Sequence, residues 1–317
     1  MPNINLDDAY ILDETGAQVD KVTGLFTKDE GTTSGEKAFA QLNIGTAGSN
    51  RNLLDNPWFT VNQRGITSGT SNEYPADRWV ATYGAGGMTW VRNADGSITA
   101  TPTNTSNHAD IYQVLEQSLV TWLSGKTVTV SVLLADGTIL SGTNMFSATG
   151  NRTFVSETVG SGRVDITWSY TNRFFRVQNY YAGTPIKAAK LELGSVSTLA
   201  NDAPPEYAGE LAKCQYYFRR WSSPSGSSAI GLALAVGTTN ANFALLSSLR
   251  ASGSATISFS GLVLSDGTDH AVTNVTVAGA GDGATMRLLL TSTDLTAYRA
   301  YTCQISAGGH LDVSKDL

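Results

Sequence analysis

Four Asp-Gly pairs punctuate the chain, at Asp95-Gly96, Asp136-Gly137, Asp266-Gly267 and Asp282-Gly283. The tight turn joining two antiparallel strands needs positive φ, which glycine adopts freely and aspartate tolerates. Alternating segments border these pairs. Lys126–Leu134 (KTVTVSVLL) sets Val128, Val130, Val132 and Leu134 on one face, and Ala255–Leu264 and Asn274–Val277 repeat the pattern. Further strands are expected at Met88–Val91, Ser97–Thr101, Val164–Tyr170, Phe174–Gln178 and Ala188–Leu193. Strands this frequent, with no helices between them, predict a mainly β chain built as a sandwich.

The length of 317 residues exceeds one ordinary core and implies several domains. Residues 1–50 carry eight acids against three lysines, so most of the net charge of −6 lies there. This arm offers a strand-like Ala9–Leu12 and a helix candidate at Glu36–Leu42 capped by Ser34, but too few apolar residues for its own core. In the β-rich zone 51–200, Ile111–Leu123 reads as a strand followed by a short helical turn around Thr121–Ser124. Pro204-Pro205 then opens a helix over residues 205–221. Its Tyr207, Leu211, Cys214, Phe218 and Trp221 are spaced 4, 3, 4, 3, as in a coiled-coil seam for oligomerisation. Residues 222–317 form a second, smaller β-domain, with no lysine or glutamate between Ser222 and Ala300.

Catalytic signatures are sparse. His108, His270 and His310 sit in polar, turn-like contexts, and no Gly-x-Ser-x-Gly elbow follows a strand. Gly84–Gly87 lacks the lysine of a phosphate loop, and Asp266–Asp269 lacks the remaining ligands of a calcium loop. Many carboxylates populate 51–200, yet nothing in sequence pairs them for glycoside hydrolysis. Cys214 and Cys303 form neither a disulfide framework nor a zinc pattern, so no metal and no cofactor is expected. The missing basic patch argues against a nucleic-acid partner. No apolar run is long enough to span a membrane, and no signal peptide is visible, which points to synthesis in a cytoplasm. Aromatic residues crowd the middle zone, where rings stack on the apolar faces of sugars when they are not core. Trp90, Trp168, Tyr180 and Tyr181 are the candidates for glycan contact. The adjacent Tyr180 and Tyr181 point to opposite faces if extended, which would expose one of them.

An ordered set of motifs carries a family resemblance. It runs through Asn52–Gly65 (NLLDNPWFTVNQRG), Ala76–Trp79 (ADRW), Gly125–Val132 (GKTVTVSV), Lys190–Gly194 (KLELG), Pro205–Tyr207 (PEY) and Glu210–Arg219 (ELAKCQYYFR). The set resembles bacteriophage tail-fibre and head-fibre receptor-binding proteins. That resemblance implies a carbohydrate-binding-module-like jelly roll over 51–200, opened by the first motif and closed by Lys190–Gly194. It also implies a linker and helix over 201–221 and a trimerising domain over 222–317. Asp13–Asp20 is similar to the starts of some fibre proteins and would make residues 1–50 a virion-attachment arm. The expected protein is a non-enzymatic homotrimer on the virion that binds a host cell-surface glycan. The alternatives are a structural head fibre or capsid decoration without a receptor site, a surface-polysaccharide depolymerase, and a host-encoded carbohydrate-binding module. Depolymerases usually carry a β-helical body, and no 20–50 residue repeat is present here.

Four structural expectations accompany this reading. Asn56 before Pro57 should leave the helical region. Trp58 and Phe59 should anchor the first strand. Asp77 and Arg78 should pair beside Trp79. Lys190 and Glu192 should share a face.

Overall fold

Two compact units, residues 1–49 and 50–317, make up the chain. The computed structural model describes residues 10–12, 18–21, 50–246, 249, 255–280 and 285–315. In the first unit, β1 (Tyr10–Leu12) pairs antiparallel with β2 (Gln18–Lys21). The helix expected over Glu36–Leu42 lies outside the described residues.

The second unit begins with twelve strands: β3 (Ser68–Gly69), β4 (Glu73–Ala76), β5 (Trp79–Tyr83), β6 (Met88–Arg92), β7 (Ile98–Pro102), β8 (His108–Val114), β9 (Thr127–Leu134), β10 (Ile139–Met145), β11 (Arg152–Val159), β12 (Gly162–Ser169), β13 (Phe174–Tyr180) and β14 (Pro185–Leu193). They form two six-stranded sheets, ordered β10-β9-β14-β7-β6-β3 and β11-β12-β13-β8-β5-β4. The inner faces pack as a jelly-roll sandwich. Val128, Val130, Val132 and Leu134 of β9 meet Val164, Ile166 and Trp168 of β12 and Phe175 and Val177 of β13 in one core. Asp95-Gly96 closes the β6–β7 hairpin and Asp136-Gly137 the β9–β10 hairpin, each glycine at positive φ. Between β8 and β9, α1 (Gln117–Leu123) buries Val120 and Leu123. It begins four residues before the expected turn at Thr121.

A 3-10 turn at Leu199–Asn201 leads to α2 (Tyr207–Gln215). Here the structure departs from the expected helix over 205–221. The helix ends at Gln215, and Phe218–Ser222 is a strand, β15. Seven more follow: β16 (Ser228–Ala235), β17 (Asn240–Leu246), β18 (Thr256–Ser265), β19 (Asp269–Ala271), β20 (Asn274–Ala280), β21 (Thr285–Thr291) and β22 (Ala300–Ser314). Their sheet runs β19-β18-β22-β16-β17-β21-β20. The long β22 pairs with β18 along one side and with β16 and then β15 along the other. Its core holds Phe243, Leu264, Leu288, Leu290, Tyr301, Cys303, Ile305, Leu311 and Val313. Asp266-Gly267 turns β18 into β19, whereas Asp282-Gly283 lies outside the described residues. No helix among the described residues is long and apolar enough to cross a membrane.

Asn52–Gly65 locks the sandwich to the C-terminal sheet. Asn56 does leave the right-handed helical region, but into the left-handed one, at φ 47°. Buried there, its side chain accepts from the Val61 N–H and donates to the carbonyls of Val61 and Asp77, while its own N–H donates to Glu210 of α2. Gln63 donates to Asp77 and to the Phe218 carbonyl on β15. The Arg64 guanidinium lies 3.8 Å over Tyr74 and 3.5 Å over Phe218. Phe59 is fully buried and stands edge-on to Trp79, but Trp58 is only half-buried. Salt bridges join Arg64 to Asp77 and Arg78 to Asp55. Arg78 sits at positive φ, which turns its side chain toward Asp55 and over the Tyr217 ring.

Lys190 and Glu192 share a face, and it is a buried one. Lys190 Nζ donates to Asp202 at 2.7 Å and to Thr198 at 2.8 Å, with Glu192 3.7 Å away. Glu192 in turn accepts from the backbone N–H and the hydroxyl of Thr198.

Candidate functional site

The outer face of the β11-β12-β13-β8-β5-β4 sheet departs from ordinary sandwich surface. Alternation along β13 sends Phe175, Val177 and Asn179 inward and Phe174, Arg176, Gln178 and Tyr180 outward. Register then builds rows across three strands. Arg163 of β12 lies opposite Tyr180, which lies opposite His108 of β8. Asp165, Gln178 and Asp110 form the next row, and Thr167, Arg176 and Tyr112 the third.

Contacts within these rows are dense. The Arg163 guanidinium lies 3.8 Å over the Tyr180 ring and pairs with Asp165 at 3.0 Å. Tyr112 stacks on Phe174 at 4.1 Å. Gln178 donates to Asp110 at 3.2 Å, and Thr167 donates to the Gln178 carbonyl oxygen. The Arg176 guanidinium stands 3.9 Å from Asp110, and its buried Nε meets no acceptor. Burial pushes the Asp110 carboxyl up to about 7 against the pull of Arg176. Burial and then Arg176 hold the His108 ring below its usual value. His108 and Asp110 lie within 3.5 Å, yet burial disfavours charge on both, so a weak polar contact describes them better than an ion pair. Beside these rows, a cleft of about 280 Å³ is lined by Asn151, Arg152, Thr153, Thr167, Arg176 and Gln178, with Trp168 and Ser169.

Of the four residues expected to touch a glycan, the structure places one on this face. Tyr180 is half-buried in it, and Tyr181 is 48% exposed just beyond the end of β13. The two rings are 6.1 Å apart. Tyr181 is not extended but at φ 67°, so its exposure comes from a turn and not from alternation. Trp168 and Trp90 are 1% exposed and belong to the core, their indole N–H groups donating to the carbonyls of Ser147 and Thr70. Parity was the available signal: Trp168 shares its face with Val164 and Ile166, and Trp90 with Met88. Arg163, Arg176, Gln178 and Asp110 come together only through strand register, which no local motif records.

The expected seam is also redistributed. Tyr207 is 55% exposed at the start of α2, Leu211 half-buried, and Cys214 fully buried. Phe218 and Trp221 lie on β15 and so cannot continue a helical stripe.

A larger groove of about 680 Å³ runs between the sandwich and α2, lined partly by Leu53, Leu115, Leu119 and Trp122. Its central polar groups are engaged with one another. Gln113 exchanges hydrogen bonds with the Asp55 backbone, Arg78 pairs with Asp55, and Tyr217 donates to Glu116. It reads as a packing seam.

The histidines lie on strands, not in turns, because each has paired backbone neighbours. Ser260 lies 2.9 Å from His310 Nδ1, but the other nitrogen is nearer Ser258, at 3.3 Å, than Asp312, at 3.9 Å. Asp312 is gripped by Arg220 at 2.6 and 2.7 Å, so it does not orient the imidazole as a triad carboxylate would. Burial pushes the thiol of Cys303 up to about 12 and that of Cys214 higher still, away from nucleophilic range. Among the described residues no three His, Cys, Asp or Glu side chains gather as a metal site.

No family model, no curated protein and no solved structure matches this chain.

Proposed function

We propose that this chain is a non-enzymatic virion fibre protein that recognises a host-surface glycan through the outer face of the β11–β4 sheet. The observation that carries the reading is that face itself: Tyr180 and Tyr112 beside Arg163, Arg176, Gln178 and Thr167, on rigid strands of a jelly roll. Rings offer stacking surface to a sugar, and guanidinium and amide groups offer directional donors for hydroxyls. The ordered fibre-like motifs support the same reading. Asn52–Gly65 and Glu210–Phe218 interlock where a fibre subunit needs its sandwich held firmly to an assembly domain. In this proposal residues 1–50 attach to the virion, and the C-terminal sheet joins three copies. Weak single-site contacts then add through avidity. The geometry around His310 and the burial of both thiols favour binding over hydrolysis.

The test is an array of bacterial surface polysaccharides probed with the full chain and with Tyr180→Ala. We expect saccharide-selective binding that weakens at least about tenfold in the variant, consistent with loss of one ring stack and its guanidinium contact, and no release of reducing sugar. Binding that ignores Tyr180→Ala removes the face from the proposal. Reducing-sugar release would restore the depolymerase alternative.

A further inference from the structure

The cleft at the edge of the candidate face has a chemical bias. Of its lining residues, Arg152 and Arg176 are cationic and none is acidic; the others are Asn151, Thr153, Thr167, Trp168, Ser169 and Gln178. Its volume of about 280 Å³ is at the small end of ligand sites and suits one pyranose unit. The Arg176 side chain is 24% exposed and stands at 3.9 Å from Asp110, beyond hydrogen-bonding range. Its Nε is buried and has no acceptor. That Nε is shielded, so a ligand oxygen would be met by the terminal nitrogens of this partly exposed guanidinium. Arg152 commits Nη1 to the neighbouring Asn151 carbonyl and makes no salt bridge among the described residues. Thr167 and Gln178 border the same space, and their bonds to one another and to Asp110 fix the wall beside Arg176.

From this we infer that the cleft is a subsite for an acidic sugar, a hexuronic or nonulosonic acid whose carboxylate is received by Arg176 and Arg152. Planar guanidinium groups match a carboxylate by paired N–H donors, which distinguishes it from a neutral hydroxymethyl group. A missing charge partner at such a site costs more than a missing methylene in an apolar one, so discrimination should be strong. This inference rests on the glycan-binding reading above and narrows it to a substrate class.

The deciding experiment uses the full chain on an array of uronic-acid and nonulosonic-acid oligosaccharides. Each is printed beside its carboxyl-reduced counterpart, in which the carboxylate has become a primary alcohol, and beside neutral glycans. The expected result is binding among the carboxylate-bearing glycans that drops at least about tenfold on carboxyl reduction. Arg176→Gln should produce the same loss. Because Arg176 also borders buried Asp110, Arg152→Gln is measured alongside it. A loss in both variants, with unchanged melting temperature in Arg152→Gln, supports the subsite. Binding that is indifferent to carboxyl reduction but lost in Tyr180→Ala overturns the acidic-sugar inference and leaves the glycan face standing. Absence of binding to every acidic and neutral glycan overturns both.

Discussion

Asp110 illustrates how one residue couples the candidate face to stability. It is 1% exposed on an outward row of the sheet, close to His108, Arg176 and Gln178. Burial lifts its folded value from 3.8 to about 7. The folded protein therefore keeps this proton up to about pH 7, while the unfolded chain releases it near pH 4. Unfolding is thus increasingly favoured as pH rises from about 4 to about 7, and the loss levels off above that. His108 works in the opposite direction, since its lowered value disfavours folding as pH falls below its ordinary range. Asp110→Asn removes only the first effect. We expect the variant to be more stable than the parent at pH 8, by roughly 4 kcal/mol, with the difference vanishing near pH 4. Urea denaturation of both proteins across pH 4–8 measures it. Equal stability at pH 8 would mean that Asp110 is ionised at little cost, and that Arg176 is neutralised after all.

At the scale of elements, the buried cation of β14 makes the sharpest stability prediction. Lys190 is 0% exposed and bridges Asp202 and Thr198, closing β14 onto the 3-10 turn at Leu199–Asn201. Lys190→Met fills the space but strands Glu192 and Asp202 without their cation, and should cost roughly 3–5 kcal/mol. A loss below about 1 kcal/mol in urea denaturation would show the cluster relaxing into solvent. The shared face of Lys190 and Glu192 was readable from alternation, as were β9, β12, β13 and the hairpins at Asp95, Asp136 and Asp266. These signals are local, because turn chemistry and pleat parity are set within a few residues. Less legible were β10 (ILSGTNM) and β11 (RTFVSETV), where exposure along both faces leaves no apolar alternation. The 4, 3, 4, 3 spacing predicts a helix over 205–221, but only Tyr207, Leu211 and Cys214 of that series lie on one. Phe218 and Trp221 extend the spacing by coincidence and are claimed instead by pairing with Ser314 and Leu311, ninety or more residues away. The candidate face was least legible of all. Local pattern points to Tyr180 alone on it, since the side chains around Tyr180 are assembled by register among β8, β12 and β13.

Assembly belongs to the whole molecule, and the C-terminal sheet offers a surface on which to test it. Along β16 the outward residues Leu232 and Leu234 are 70% and 49% exposed, and Val236, just beyond its end, is 44% exposed. Their cross-strand neighbours are uncharged: Thr302 faces Leu232, while Asn242 and Ala300 flank Leu234. Three identical copies could bring such faces together without like-charge repulsion, and burying three large aliphatic side chains per copy would supply a driving force for the proposed trimer. Deleting residues 205–317 is a poor test. It would also remove Glu210, Phe218 and Arg220, which hold Asn56, Gln63 and Arg64 of the sandwich. A single exposed substitution avoids that damage. Leu234→Lys places a charge at the centre of the strip while leaving the inward Ala233 and Ala235 untouched. Light scattering of the full chain should give a trimer for the parent and a monomer for Leu234→Lys, with similar melting of the isolated subunit fold. A monomeric parent would sink the homotrimer and leave each copy to bind alone. A trimer that survives Leu234→Lys would move the contact away from β16, and the exposed Tyr298, beside the start of β22, would become the next position to charge.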